Sequence, residues 1–286
     1  MTADGRARYG DRMTDIGTAQ IVDALCMANE AKARSPFLVG IAGSQGCGKS
    51  TLAREMERMV ADRGLRVGTL SIDDLYLPRA ERQRLATEVH PLLAVRGVPG
   101  THDVALGHAV FDSCGRRGNI GLPRFAKELD DRLPVDRWSN VEGPLDIVLF
   151  EGWCVGATPQ DDAELGPPVN ALERQQDADG RWRRWVNRRL ATDYAGLFAR
   201  TDWQLFLAAP SFDVVAEWRR EQEEDLRQRL SESGESTDGT MDDRAVGNFV
   251  QYYQRITEHM LAEMPARADL TLLLDRRRGR TLRLSH

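Results

Sequence analysis

Residues 43–51 read "GSQGCGKST". Gly43, Gly48, Lys49 and Ser50 occupy the fixed positions of G-x-x-x-x-G-K-[ST], with Ser44, Gln45, Gly46 and Cys47 between them and Thr51 following. A glycine-rich turn of this kind aims backbone N–H groups at phosphate oxygens, helped by the positive end of the helix behind it. Lys49 then reaches the β- and γ-phosphates, and the Ser50 hydroxyl holds Mg²⁺. Cys47 stands at a free position and reads as a bystander. The chemistry expected is binding of a nucleoside triphosphate.

Two acidic stretches could act on it. "SIDDLY" (71–76) carries Asp73 and Asp74 at the end of an apolar run. A carboxylate there can take the proton of an attacking hydroxyl or hold Mg²⁺ through water. Asp74 has the alternative of capping the segment that follows. "DIVLFEGW" (146–153) ends its apolar run at Glu151, a Walker B-like acid with Glu where many phosphate-loop proteins have Asp, while Asp146 before the run reads as structural. "RGVPGTHD" (96–103) has the glycines and proline of a tight turn. A bend alone does not require Thr101, His102 and Asp103 in succession.

The elements that must position these residues alternate. A helix is expected over 15–34, ended by Pro36, then the buried strand "FLVGIAG" and a helix from Lys49 to about Arg63. The strand "RVGTLSI" follows, then a Pro- and Gly-rich middle (78–140) with short helical pieces such as "DVALGHAVFDS". "LDIVLF" (145–150) is a second buried strand, and a helix over 181–199 precedes the strand "DWQLFLAA". A long charged helix starts at Ser211, read as its cap; a helix over 241–264 and the strand "ADLTLLL" close the chain. Strands alternating with helices give an α/β domain with a largely parallel sheet, whose ligands bind at the carboxyl ends of the strands.

In "RWRRWVNRRL" (181–190), Trp182, Trp185, Val186 and Leu190 form a buried stripe and leave Arg184 and Arg188 on a solvated face. "EWRREQE" (217–223) lies in the helix before the polar "SESGESTDGT" (231–240), which has no apolar anchor and is expected to be mobile.

Composition narrows the class. With 39 Lys+Arg against 44 Asp+Glu, the net charge of −5 argues against a nucleic-acid binder working through bulk electrostatics. The apolar runs are too short to cross a membrane. "MTADGRARYGDRMTD", with three acids, reads as neither a secretory nor a transit peptide. Cys26, Cys47, Cys114 and Cys154 are scattered, as expected of reduced thiols in a cytoplasmic protein. No Asn is followed by Lys, so a GTPase would lack its N-K-x-D guanine reader, and the D-x-x-G matches at "DSCG" and "DADG" do not follow a buried strand. An ABC-type signature is absent too. A small-molecule kinase remains.

"GSQGCGKST", "SIDDLY", "RGVPGTHD", "LPRFAK" and "LFEGWCVGA" together resemble the plant- and yeast-type D-glycerate 3-kinases. That family sits in the P-loop group with uridine kinase, phosphoribulokinase and bacterial pantothenate kinase. The resemblance runs from about residue 36 onward; Leu75 stands where the family more often carries Phe. It implies Asp73 as the catalytic base, with Asp74, Tyr76, His102, Asp103, Arg124 and Lys127 around the acceptor. It also implies a lid near 231–240 whose arginine, Arg219 or Arg220, reaches the transferring phosphoryl group.

The expectation is an α/β P-loop nucleoside triphosphate hydrolase fold, a mostly parallel sheet flanked by helices. An N-terminal helical extension (1–35) precedes a kinase domain (36–286) with an acceptor-binding insertion at about 78–140. Lys49, Asp73, Glu151 and Arg219 are the expected catalytic residues, with Ser50, Asp73 and Glu151 toward Mg²⁺. The expected reaction is ATP-dependent phosphorylation of a small hydroxy acid, D-glycerate to 3-phospho-D-glycerate. Kinases of pantothenate or a nucleoside, and a nucleotide-dependent binding or regulatory protein without turnover, stay open. The expected partner is this small acceptor, with no nucleic acid and no membrane, for a cytoplasmic monomer.

Overall fold

The computed structural model describes residues 14–32, 35–234, 236–237 and 239–282; of the expected N-terminal extension, 1–13 and 33–34 lie outside them. In chain order the strands are β1 (Thr14–Asp15), β2 (Phe37–Gly43), β3 (Val67–Ser71), β4 (Gly118–Leu122), β5 (Phe125–Ala126), β6 (Asp131–Arg132), β7 (Ser139–Gly143), β8 (Ile147–Gly152), β9 (Trp203–Ala208), β10 (Leu270–Leu274) and β11 (Arg280–Leu282). The helices are α1 (Thr18–Lys32), α2 (Lys49–Ala61), α3 (Arg79–Glu88), α4 (Val104–Cys114), α5 (Ala171–Gln176), α6 (Arg181–Arg189), α7 (Ala195–Phe198), α8 (Phe212–Ser233) and α9 (Asp243–Glu263).

The main sheet runs β1-β11-β10-β9-β2-β8-β3, parallel from β10 to β3, with β11 and β1 added antiparallel at one edge. All seven positions of β2 and all six of β8 are buried, because helices cover both faces; such strands read as continuous apolar runs. Alternate side chains feed two cores. Leu38, Val148 and Phe150 face one, with Phe111 and Tyr194; Val39, Ile41 and Leu149 face the other, with Met56 and Trp218. Ile21, Val22 and Leu25 of α1 are fully buried in the second core, so this helix is built into the fold.

The middle segment supplies α3, α4 and two small two-stranded sheets, β4-β7 and β5-β6, beyond the end of β3. Several expectations need correction. The helix over 181–199 is α-helical only at its ends, since Leu190–Tyr194 forms a π turn between α6 and α7. Ser211 sits at the start of α8 in extended backbone, but its side chain makes no capping bond; Asp213 in the first turn complements the helix dipole instead. The stretch expected to be a mobile loop over 231–240 begins as helix: Ser231–Ser233 complete α8 and Gly234 ends it at φ 74°. Glu235 and Asp238 of that stretch lie outside the described residues. Its far end is tied down, as Met241 N–H donates to Glu223 Oε2 (2.9 Å) and Arg227 donates to the Met241 carbonyl (3.0 Å).

Within "RWRRWVNRRL", Trp182, Val186 and Leu190 are buried and Arg184 and Arg188 point outward as expected, with Trp185 only partly covered. Arg183 is the exception. It is 3% exposed and pairs with Asp177 at 2.8 Å, while Asp177 also accepts the backbone N–H of Trp182 (2.7 Å) and of Arg183 (3.2 Å).

Candidate active site

The sheet register brings the distant acids together. Glu151 on β8 stands opposite Ile41 of β2 on one side and Ser71 of β3 on the other. β2 leads into the phosphate loop and β3 into "DDLY", so one position on the central strand adjoins both. Glu151 is 6% exposed; its Oε1 accepts the Ser50 hydroxyl at 2.9 Å, and its Oε2 is buried without a hydrogen-bond partner.

The phosphate loop closes as its sequence requires. Gly48 takes φ 88° at the start of α2, a left-handed conformation that glycine adopts without strain. Ser44 Oγ and Gln45 Oε1 are buried without partners in the same loop. Burial opposes the charge of Lys49, but Glu151, then Cys47 and Asp73, surround it and raise its pKa above the ordinary lysine value. Cys47 is 2% exposed, and burial pushes its thiol up, which suits a packing role. Arg278, from the turn before β11, donates from Nε to the Gly46 carbonyl (2.6 Å) and lies over the Trp218 ring. Nothing in the sequence pattern singled out that arginine.

On the acceptor side, residues 72–75 form a single 3-10 turn after β3, capped by Ser71 accepting from Asp73 N–H. Asp73 Oδ1 accepts the Tyr76 hydroxyl (3.0 Å) and Oδ2 accepts Lys127 Nζ (2.7 Å). Burial pushes the Asp73 carboxyl up, yet Lys127 and then Lys49 outweigh it and hold it at about 2. Asp74 is committed elsewhere: its Oδ2 pairs with Arg124 (2.8 Å) and its Oδ1 accepts Phe125 N–H (3.0 Å). Burial raises its pKa in spite of those donors. Arg124 is also fixed from Nε to Ser139 Oγ (2.8 Å). The Asp74–Arg124 pair therefore clamps the small β5-β6 and β4-β7 sheets to the end of β3.

"RGVPGTHD" is a turn with one bond across itself and three partners from outside. Trp153 Nε1 donates to the Gly97 carbonyl (3.0 Å), the Tyr253 hydroxyl to the Arg96 carbonyl (3.4 Å), Gly97 N–H to Thr101 Oγ1 (3.1 Å) and Gly100 N–H to the Tyr194 hydroxyl (2.8 Å). At Gly100, φ is 98° and a Cβ would come within 2.2 Å of the Trp185 ring, so only glycine fits. The polar residues then divide. Thr101 is consumed inside the turn. Asp103 caps α4 by accepting Leu106 N–H (2.9 Å) and pairs with Arg132 (3.0 Å), which gives it a structural partner set. Arg96 is not free in solvent but pairs with Asp130. His102 remains: 5% exposed, stacked on Tyr76, and pushed down to about 4 by burial, hence neutral.

Tyr76, Asp73, His102 and Lys127 are thus brought together beside Lys49 and Glu151. Arg219 is engaged by Glu223 and Gln222 and lies over Phe249. Glu224 is taken by Arg227, and Arg220 is exposed. Tyr194, Tyr253 and Arg132 support the site from positions that the motifs above do not include, and Trp153 supports it from within "LFEGW" without having been given a role there. Among the described residues no helix is long and apolar enough to cross a membrane, and no group of three or more His, Cys, Asp or Glu could hold a metal.

No protein-family model matches the chain. The kinase mug58 of Schizosaccharomyces pombe is 34% identical over 227 residues, covering 76% of this chain and 78% of its own. The chloroplastic D-glycerate 3-kinase of Arabidopsis thaliana is 29% identical over 245 residues, 82% of this chain and 50% of the plant protein, so the chain spans about half its length. The solved D-glycerate 3-kinase of Cryptococcus neoformans shares the fold, with a TM-score of 0.76 at 24% identity over 92% of this chain and 98% of that one. The phosphate loop, the acids it adjoins and these likenesses converge: the chain belongs to the P-loop kinase family of mug58, the family of the D-glycerate 3-kinases.

Proposed function

We propose that this chain is an ATP-dependent kinase of a small hydroxy acid, D-glycerate, phosphorylated at its primary hydroxyl to give 3-phospho-D-glycerate. The observation that carries the reading is the meeting of three things in one site. A phosphate loop with Lys49, an acid in Asp73, and a cation on that acid, Lys127, lie together. A neutral alcohol would have no use for the cation; an acceptor with a carboxylate would.

The geometry supports the following roles. Lys49 and the loop residues Gly43–Thr51 bind the triphosphate and hold positive charge where charge develops during transfer. Asp73 accepts the proton of the acceptor hydroxyl at its carboxylate, and Tyr76 orients that carboxylate from the other side. Lys127, whose side chain is 60% exposed, is free to swing from Asp73 to the acceptor carboxylate. Its departure raises the Asp73 pKa and makes the base stronger as the acceptor arrives. Arg124, fixed on Asp74 and Ser139, contributes by shaping the pocket. A lid role for Arg219 requires it to leave Glu223.

The residues present fit Mg²⁺. The Ser50 hydroxyl and Glu151, with its buried, unpartnered Oε2, offer oxygen donors beside the phosphate loop, the usual few protein ligands of a cation that keeps its waters. When bound, the ion neutralises phosphate charge. Asp73, with both oxygens already holding protein donors, suits a place toward the ion through water, as its position at the strand end suggested, better than direct ligation. The reading takes residues 36–286 as the kinase domain, 78–140 as its acceptor-binding insertion and 231–240 as a lid. It also takes a monomer, and a reducing compartment that the four unpaired cysteines support.

The test is a coupled ADP-release assay across D-glycerate, glycerol, pantothenate and uridine. Acceptor-dependent turnover fastest with D-glycerate is expected. Faster turnover of pantothenate or uridine refutes the acceptor, and ATP binding with no acceptor-dependent turnover refutes the enzyme.

A further inference from the structure

One nitrogen in the acceptor-side turn is buried and has no protein partner: Nε2 of His102. The ring that carries it is immobilised. Tyr76 stacks on it with centroids 4.5 Å apart and planes 20° from parallel. Tyr194 meets it edge-on at 75°, with its hydroxyl 2.7 Å from Nδ1. The backbone is pinned on both sides, from Leu77 N–H to the Thr101 carbonyl (2.9 Å) and from Asp103 N–H to the Leu75 carbonyl (2.7 Å).

The hydroxyl of Tyr194 decides which ring nitrogen carries the proton. Gly100 N–H donates to that oxygen at 2.8 Å, and an amide N–H can only donate. The oxygen is the acceptor in that bond, which leaves its single proton for Nδ1. The opposite arrangement, with Nδ1–H and Gly100 N–H both donating to the oxygen, strands the hydroxyl proton without an acceptor. Tyr194 is fully buried, so water cannot take that proton and the arrangement is costly. Nδ1 therefore accepts, and the proton of the neutral ring resides on Nε2.

The helix around Tyr194 is shaped for this contact. Trp182, Val186, Leu190, Tyr194 and Phe198 are all buried, a strict four-residue stripe. Such a stripe drifts by about 40° per step around an ideal α-helix. The π turn over Leu190–Tyr194 is wider and takes up part of that drift at the point where Tyr194 faces the turn. Tyr194 and His102 stand 92 residues apart in sequence.

We propose that Tyr194 is a positioning residue for the transfer reaction: by donating to Nδ1 it fixes His102 as the Nε2–H tautomer and presents that N–H as an uncharged donor to an oxygen of the acceptor. The acceptor half of this rests on the function proposed above. An uncharged donor has a use here. It orients an oxygen beside Asp73 without adding positive charge that would weaken the base.

The test begins with the free, full-length protein, labelled with ¹⁵N. Long-range ¹H–¹⁵N correlation distinguishes the two imidazole tautomers, and His102→Gln identifies the signals of His102. A single Nε2–H form is expected. An Nδ1–H form, or an exchanging mixture in the wild type, overturns the proposal. Tyr194→Phe keeps the packed ring and removes the hydroxyl. It should turn the single form into a mixture and lower kcat/KM for the hydroxy acid roughly tenfold, the worth of one misdirected hydrogen bond, with KM for ATP unchanged. A Tyr194→Phe protein that loses only thermal stability, with tautomer and acceptor kinetics intact, makes Tyr194 a packing residue and overturns the proposal. If that variant does not fold, the wild-type spectra alone still decide the tautomer. A wild type that turns over no hydroxy acid sinks the function reading and the acceptor half with it, while the tautomer half is decided by the substrate-free spectra.

Discussion

Replacing Lys127 by Met removes one charge and keeps most of the side-chain length. In the free protein Lys127 meets Asp73 at 2.7 Å, but with side chains 60% and 32% exposed the pair is screened, and losing it should cost about 0–1 kcal/mol of stability. The larger effect falls on the acceptor. A charge-assisted hydrogen bond is worth ~1.5–3 kcal/mol, and the exposure of Lys127 brings that down to ~1–2 kcal/mol. At ~1.4 kcal/mol per decade, kcat/KM for D-glycerate should fall roughly 5- to 30-fold. Glycerol has the hydroxyls but no carboxylate, and should change by less than about threefold. The base is not lost with the lysine: without Lys127 the Asp73 pKa rises from about 2 toward the ordinary carboxylate range, and the group is still ionised at neutral pH. The measurement is coupled ADP release with both acceptors at saturating ATP. An equal fall for both shows that Lys127 serves the transfer step, and no fall for either shows a plain surface pair; either result refutes the carboxylate argument.

Asp73→Asn keeps the side chain's shape but cannot take a proton, and should lower kcat by ~10²–10⁴-fold in the same assay; a damaging Asp74→Asn with a near-silent Asp73→Asn would make the other aspartate the base. Glu151→Gln should raise the Mg²⁺ concentration for half-maximal activity by roughly 10- to 100-fold, measured by Mg²⁺ titration, and an unchanged titration removes Glu151 from the ion's surroundings. Asp177→Asn leaves Arg183, 3% exposed, without its counter-charge. That should cost ~3–5 kcal/mol, seen as a melting temperature lower by roughly 6–15 °C with turnover at low temperature intact.

The parts of the site that follow from local spacing were legible in the sequence. The phosphate loop, Asp73 and Glu151 each sit at the carboxyl end of an apolar run, and parallel pairing does the rest. Long-range partners were not legible. Tyr194, Tyr253 and Trp153 reach the "RGVPGTHD" turn from far along the chain, and an aromatic on a helical stripe looks the same whether its hydroxyl ends in the core or on a loop. Asp103 had a readable local signal, an acid directly before the apolar helical stretch "VALGHAVF", which marks a cap. Arg183 defeated the reading differently: helical periodicity placed arginines by face, whereas its burial depends on Asp177 just before the helix.

The outermost strand of the main sheet joins segments near opposite ends of the described chain, Thr14 opposite Leu282 and Asp15 opposite Thr281. On a ribosome, at ~5–20 residues per second, the early segment waits for its partner for tens of seconds. α1 need not wait, because Ile21, Val22 and Leu25 can dock on α2 as soon as that helix emerges. The chain therefore holds its nucleotide loop and both aspartates of "SIDDLY" in a partly closed sheet well before the final hairpin arrives. That hairpin also brings Arg278 to the Gly46 carbonyl. Closure of that hairpin, made after every other strand of the main sheet, thus fastens the phosphate loop, so a chain lacking it would have the loop's sequence without its clasp.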